Sequence, residues 1–169
     1  ASPLISTRSW IADANSLRGQ LPADVQAEIA SCDKGPSRDC DDGVNAFYRA
    51  FNGREPAKPA AIAYAGAHPN GFNPKLYNAM WGPSEFACTG SLKDYDGEPL
   101  LARLDGRRTI FLGGQYDEAR PTTLAGFTAR VPGAEYATIP GSAHGIFADR
   151  TLETVALIRG WLARQDAKS

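Results

Sequence analysis

The spacing of apolar residues changes near residue 98. Before that point, apolar side chains recur every three or four residues, which is the period of an amphipathic helix. The predicted helices cover residues 7–18, 23–30, 42–51, 60–67 and 74–81. Residues 33–42 contain Lys-Gly-Pro-Ser and are otherwise polar, which predicts a loop between the second and third helices.

After residue 98, short apolar runs alternate with helical segments. Residues 109–114 and 134–139 are predicted strands, and residues 122–130 and 151–164 are predicted helices. The last helix is expected to turn Leu152, Val155, Ile158 and Leu162 toward the core. This alternation is typical of an α/β fold with a parallel sheet, with the first strand buried on both faces. We therefore divide the chain into a helical region, 1–98, and an α/β region, 99–169.

Composition excludes several classes of function. The 169 residues include 18 Lys and Arg against 19 Asp and Glu, a net charge of −1, so we expect neither nucleic acid nor a membrane surface as a partner. No apolar run is long enough to span a bilayer. Cys32 and Cys40 lie close enough in sequence to pair in an oxidising compartment, and the residues leave open whether they do. With two histidines and no C-x-x-C motif, no metal site is expected.

Two residues follow the predicted strands at positions suited to chemistry. Asp117 comes after the first strand and His144 after the second. Functional groups collect at the carboxyl ends of parallel strands, so these two side chains are expected to meet there. Asp117 would then orient the imidazole of His144, which would act as general base and general acid. The alternative is that Asp117 is a turn residue and His144 a surface group.

Two longer motifs resemble a known family. Residues 77–86 read Y-N-A-M-W-G-P-S-E-F, and residues 114–121 read G-Q-Y-D-E-A-R-P. Both resemble segments in the C-terminal half of proline iminopeptidases, which are serine aminopeptidases of the α/β-hydrolase fold with a helical cap. The resemblance implies a partial α/β-hydrolase fold, in which residues 1–98 form the cap and residues 99–169 supply the last two strands and helices of the sheet.

The resemblance also assigns roles to individual residues. It implies that Asp117, rather than the adjacent Glu118, is the triad acid, and that His144 is the base. Glu85 would hold the free α-amino group of a substrate, unless it caps a helix or pairs with an arginine. Trp81 and Phe86 would line the pocket, or else belong to the core. A second amino-binding carboxylate is expected but not placed: residue 46 is alanine where an acid is expected, with Asp41 and Asp42 nearby.

The chain also departs from the family at the nucleophile, since no G-x-S-x-G motif occurs in it. Our leading interpretation is a fragment of a serine hydrolase that releases an N-terminal proline or small residue from a peptide or amide, without any cofactor. The isolated chain is then expected to be inactive. Its partners would be the nucleophile-bearing N-terminal half, or a second copy of the chain. The alternatives are a non-catalytic binding module derived from such a hydrolase, and another cap-bearing amidase or esterase.

Overall fold

The computed structural model of the protein describes residues 3–32, 37–55, 59–67 and 73–167. The helices are α1 (Thr7–Arg18), α2 (Ala23–Ser31), α3 (Arg38–Phe51), α4 (Ala60–Ala67), α5 (Pro74–Met80), α6 (Pro121–Ala129), α7 (Ile146–Asp149) and α8 (Thr151–Asp166), and the strands are β1 (Ile110–Gly114) and β2 (Glu135–Ile139). Short 3₁₀ helices at Glu98–Arg103 and Gly106–Arg108, together with α7, were not predicted. His68 and part of the predicted loop over 33–42 lie outside the described residues.

The first three helices share one apolar core. Its buried members are Ala14, Leu17, Ile29, Phe47 and Phe51. A Cβ at Gly43 would lie 2.7 Å from the backbone nitrogen of Ile29, so only glycine allows α3 to approach α2 this closely. A disulfide between Cys32 and Cys40 also joins the end of α2 to the first turn of α3, which answers the question that the sequence left open.

The start of α3 differs from the prediction. The helix begins at Arg38, and residues 38–41, which were predicted to be loop, form its first turn. The Ser37 side chain caps the helix by accepting a hydrogen bond from the Cys40 amide. Asp39 and Asp41 lie in the first turn, where negative charge interacts favourably with the helix dipole. The prediction was wrong here because residues that favour the first turn of a helix are also common in loops.

The two strands pair in parallel, as predicted, and β1 has helices on both faces. Phe111 packs in a buried cluster with Leu124 and Phe127 of α6. Leu112 points to the opposite face, where it packs with Ile139 of β2 and residues of α7 and α8. The alternation of side chains along a strand therefore divides the β1 residues between two cores, which confirms the predicted burial on both faces.

Helix α8 contacts the sheet through a face that only partly matches the predicted one, since Ile158 packs there as expected. Leu157 and Ile158 pack on the sheet, and Thr154 is fully buried with its hydroxyl donating to the Ile146 carbonyl. Leu152 and Leu162 are 81% and 48% exposed, so their predicted place in the core was wrong. Leucines occur on more than one face of this helix, and the satisfied hydroxyl of Thr154 allows a polar residue to occupy the buried stripe.

The division at residue 98 stays a prediction. Ile5 and Trp10, from the first region, pack against the cluster that contains Phe111, from the second. Across the part of the chain that the structure describes, no helix combines the length and apolar character needed to cross a membrane.

Candidate active site

The loop after β1 holds the Asp117 carboxylate in one orientation. Its Oδ2 accepts a hydrogen bond from the Gly114 amide at 3.0 Å, and its Oδ1 accepts one from the Ala119 amide at 2.9 Å. The side chain is completely buried. Aspartate favours this kind of hydrogen bonding to nearby backbone amides in turns. The loop therefore fixes the carboxylate independently of its contact with His144.

The loop after β2 brings His144 to this carboxylate. His144 Nδ1 lies 3.0 Å from Asp117 Oδ1. The loop passes directly over the end of β1, where a Cβ at Gly114 would lie 2.1 Å from the Ala143 carbonyl oxygen. A glycine at the end of β1 is therefore required for the two loops to meet. The Trp10 ring and the imidazole pack nearly perpendicular to each other, with centroids 5.4 Å apart.

Several groups act on the protonation of His144. Burial lowers its pKa, but the hydrogen bond and charge of Asp117, followed by the charges of Glu118 and Glu85, outweigh burial and raise the pKa above the usual 6.5. Because Asp117 accepts the hydrogen bond, Nδ1 carries the proton of the neutral ring, and Nε2 remains available as a base. This is the arrangement of the last two members of a Ser-His-Asp triad.

Glu85 is held by three aromatic donors. The indole Nε1 of Trp10 donates to its Oε2 at 3.0 Å. The hydroxyls of Tyr48 and Tyr77 donate to its Oε1 at 2.8 and 2.6 Å. Burial, together with the negative charge of Glu85, raises the pKa of both tyrosines, so both keep their protons and remain donors. Glu85 therefore neither caps a helix nor pairs with an arginine among the described residues.

Glu118 is a second buried carboxylate at the same place. The Asn52 side-chain amide donates to its Oε1 at 2.6 Å, and the same oxygen lies 4.0 Å from His144 Nε2. Its Oε2 is buried and has no hydrogen-bond partner within the described part of the chain. Burial raises the pKa of Glu118 to about 7; the positive charge of His144 opposes this, and the charge of Glu85 adds to it.

These polar groups share one cavity of about 490 Å³. Glu85, Glu118, His144 and Tyr77 contribute its titratable groups. The rest of the lining is mainly apolar and comes from the start of the chain, helix α5 and the segment after it: Leu4, Trp10, Leu76, Met80, Trp81 and Leu92. A mostly apolar cavity with a few convergent polar groups is the usual form of a small-molecule site.

The structure brings most of the predicted site residues together. Asp117 contacts His144, and both Glu85 and Trp81 line the cavity with His144. Phe86 is placed elsewhere: it packs edge-on against Phe47, with centroids 5.0 Å apart, in the core of the first three helices. The half-buried ring packs there with apolar side chains and is not part of the cavity lining, in line with the alternative that assigned it to the core.

Sequence reasoning missed the second carboxylate of this cavity. Asp41 and Asp42 are exposed on the first turn of α3, whereas Glu118, which was considered only as a rival to Asp117, lines the cavity. The available signal was adjacency, since Glu118 directly follows Asp117 and its carboxylate also lies near His144. It also missed the aromatic donors to Glu85, although Tyr77 belongs to the motif that contains Glu85.

Among the residues described, no three His, Cys, Asp or Glu side chains are grouped as metal ligands.

Fold and site together define part of an α/β-hydrolase, in which an Asp–His pair lies at the carboxyl ends of parallel strands. The crystal structure of a proline iminopeptidase from Mycobacterium smegmatis matches 97% of this chain with a TM-score of 0.83 and 27% identity, and the chain covers 55% of that structure. The crystal structure of VinJ matches 95% of the chain with a TM-score of 0.82 and 26% identity, over 54% of its own length.

Sequence comparison also finds proline iminopeptidases, although no protein-family profile matches the chain. A proline iminopeptidase from Heyndrickxia coagulans is 29% identical over 166 residues, which are 96% of this chain and 56% of that protein. One from Levilactobacillus brevis is 34% identical over 90 residues, 53% of this chain and 30% of that protein. The chain is thus a homologue of proline iminopeptidases, which confirms the resemblance, and it spans about half the length of the first of these relatives.

Proposed function

We propose that this chain is part of a serine aminopeptidase that releases an N-terminal residue, proline or a small residue, from a peptide or amide. The serine would come from a part of the protein outside this chain, because no G-x-S-x-G occurs in it. His144 would remove the serine proton as the serine attacks the carbonyl carbon, and would then donate that proton to the leaving amine. Asp117 would stabilise the imidazolium that forms between these steps.

The observation that carries the proposal is the pair of buried carboxylates beside His144. Glu85 and Glu118 line one cavity, and Glu118 presents a buried oxygen without a hydrogen-bond partner among the described residues. A charged carboxylate in such a place is costly unless a cation pairs with it. The α-ammonium group of a peptide supplies both the positive charge and the missing donors, and it would favour the ionised form of Glu118.

This arrangement also explains cleavage after the first residue. In a peptide, one Cα separates the α-amino nitrogen from the first carbonyl carbon, so the two atoms are only about 2.5 Å apart. Glu118 Oε1 lies 4.0 Å from His144 Nε2. An ammonium held at Glu118 therefore brings the first carbonyl, and no later one, next to the base. The apolar wall around Leu76 and Trp81 would then receive the side chain or the prolyl ring of that first residue.

The two-stranded sheet indicates a further partner, the nucleophile-bearing half of the hydrolase. In the described residues the sheet has only two strands, yet the β1 side chains are buried on both faces, as in a central strand. We propose that β1 continues into a larger sheet supplied by the nucleophile-bearing half of the hydrolase. Native mass spectrometry of the protein purified from its source would test this. A second polypeptide or a longer parent chain supports it, whereas a homodimer of 18.1 kDa chains favours self-association instead.

Ligand binding tests the amino-group site on this chain directly. Prolinamide carries the free amine, and N-acetylprolinamide has nearly the same shape without it. We expect prolinamide to bind, as followed by the shift of the His144 imidazole signals in NMR, and the acetylated compound not to bind. Glu85→Gln and Glu118→Gln should each weaken prolinamide binding by about tenfold or more, which is the usual loss when a charge-assisted hydrogen bond is removed.

A matched control separates site effects from general charge effects. Glu135 is a surface carboxylate that pairs with Arg164 at 2.7 Å. Glu135→Gln removes the same charge from the chain and should leave the affinity for prolinamide unchanged. Equal binding of the acetylated and free compounds would contradict the proposal and favour another cap-bearing amidase or esterase.

A further inference from the structure

Three consecutive backbone amides fix the position of the loop that carries His144. The amides of residues 143–145 donate, in order, to Asp149 Oδ2 at 2.8 Å, to the Phe51 carbonyl at 3.1 Å and to the Asn52 carbonyl at 2.8 Å. A loop with three successive satisfied amides has little freedom to shift. Two of the acceptors belong to the end of α3, and the third is a side chain.

That side chain also connects the loop to α3. Asp149 Oδ1 accepts hydrogen bonds from the amides of Arg54 at 3.0 Å and Glu55 at 2.9 Å. The carboxylate is buried. One side chain therefore accepts three backbone donors from two segments that lie about ninety residues apart in sequence. Removing it would leave the buried Ala143 amide unpaired and would take away the acceptor of the Arg54 and Glu55 amides.

The end of α3 connects in turn to the second carboxylate of the cavity. The Phe51 carbonyl that accepts the His144 amide also accepts the Glu118 amide at 3.1 Å. The side chain of the next residue, Asn52, donates to Glu118. The backbone positions of His144 and Glu118 are thus set by the same carbonyl oxygen, and Asp149 anchors the chain on either side of it.

We infer that Asp149 is a positioning residue, which holds the backbone of His144 at the distance from Asp117 and Glu118 that the site requires. Asp149 itself is not placed in the cavity, so it acts through His144. This inference rests on the proposed function, in which His144 is the base. A purely structural role for Asp149 would affect the stability of the fold without changing the imidazole of His144.

Asp149→Asn is the sharpest variant, because it keeps the shape of the side chain and replaces one oxygen with a donor. The orientation that keeps the most hydrogen bonds leaves the oxygen facing the Arg54 and Glu55 amides. The new NH₂ group then faces the Ala143 amide, and both of these groups are donors. We expect amide hydrogen exchange at Ala143 to become about tenfold faster or more, since one buried hydrogen bond is lost. We also expect the pKa of His144, measured by NMR titration, to move toward 6.5 as its contact with Asp117 loosens.

Asp13→Asn is the matched control. Asp13 is also a buried carboxylate, and it accepts hydrogen bonds from the Arg120 amide at 3.0 Å and the Thr123 hydroxyl at 2.8 Å, at the start of α6. The control should destabilise the fold and leave the His144 titration unchanged. Since the chain contains only two histidines, a His68→Gln variant assigns the signals.

Either of two results would overturn the inference. One is an Asp149→Asn variant that is less stable but titrates at His144 as the unmodified chain does. The other needs no variant: amides 143–145 of the unmodified chain would exchange as fast as exposed loop amides. If Asp149→Asn does not fold, this second measurement decides alone. Failure of the proposed function is distinguishable, because prolinamide would then not bind although His144 still responds to Asp149→Asn.

Discussion

Replacing Glu118 with glutamine is expected to stabilise the folded chain at neutral and alkaline pH. Burial raises the pKa of Glu118 from 4.5 to about 7. Between pH 4.5 and about pH 7, the folded state therefore holds a proton that the unfolded state has released. The free energy of unfolding consequently falls as pH rises through this range. At 1.36 kcal/mol per pKa unit, the ionised side chain destabilises the fold by about 3 kcal/mol above pH 7 and by nothing below pH 4.5.

Glutamine removes this pH-dependent penalty and keeps an oxygen for the Asn52 amide. Urea unfolding at several pH values between 4 and 8 would measure the difference between the two proteins. We expect the Glu118→Gln variant to match the unmodified chain near pH 4.5 and to be more stable by up to about 3 kcal/mol at pH 8. His144, whose pKa is also raised, makes stability fall as pH rises in both proteins, and by less in the variant because the charge of Glu118 no longer contributes to that shift.

The reasoning is refuted if the free energy of unfolding depends on pH in the same way for the two proteins. Glu118 would then have the same pKa in the folded and unfolded states. A variant that is less stable at pH 8 would refute it as well. The expected gain has a functional meaning, since a buried carboxylate that weakens the fold is retained where a ligand needs it. Prolinamide should accordingly raise the stability of the unmodified chain and have little effect on the variant.

Three further predictions concern the acid, the core and the disulfide. Asp117→Asn should lower the pKa of His144 in an NMR titration and reduce kcat of the complete enzyme on the order of 10⁴-fold; an unchanged rate would remove Asp117 from the triad. Phe47→Ala should lower the free energy of unfolding by about 3–5 kcal/mol, because Phe47 is fully buried, while Phe147→Ala, at a 42% exposed site, should change it little; similar losses would contradict the assigned core. Reduction of Cys32–Cys40, or serine at both positions, should destabilise the chain by about 2–3 kcal/mol in urea unfolding, whereas two free thiols in the native protein by mass spectrometry would rule the bridge out.

The strand-end chemistry was predictable because it follows from topology. Asp117 and His144 each come after a short apolar strand, and parallel strands bring their carboxyl ends to one edge, so their meeting needs no knowledge of side-chain packing. Glu85 was predictable only from the motif that surrounds it. Nothing in the periodicity of residues 77–86 indicates that three aromatic donors would surround a carboxylate there.

Other features depend on contacts that a linear pattern does not contain. The role of Glu118 depends on the direction in which a turn projects consecutive side chains. The exposure of Leu152 depends on which of two apolar faces of α8 meets the sheet. The place of Phe86 depends on its packing against Phe47 of α3. In each case, local preference was satisfied by more than one arrangement, and tertiary packing selected between them.

The most direct test of this account is a comparison of two substrates with the complete protein that contains this chain. Proline p-nitroanilide has a free amine, and N-acetylproline p-nitroanilide has the same scissile bond without it. We predict turnover of the first compound, loss of that turnover with Glu118→Gln and with His144→Ala, and no turnover of the second. The 169-residue chain alone should turn over neither compound. Comparable rates on both compounds, or an unchanged rate in the Glu118→Gln variant, would contradict recognition of the amino group by the buried carboxylates.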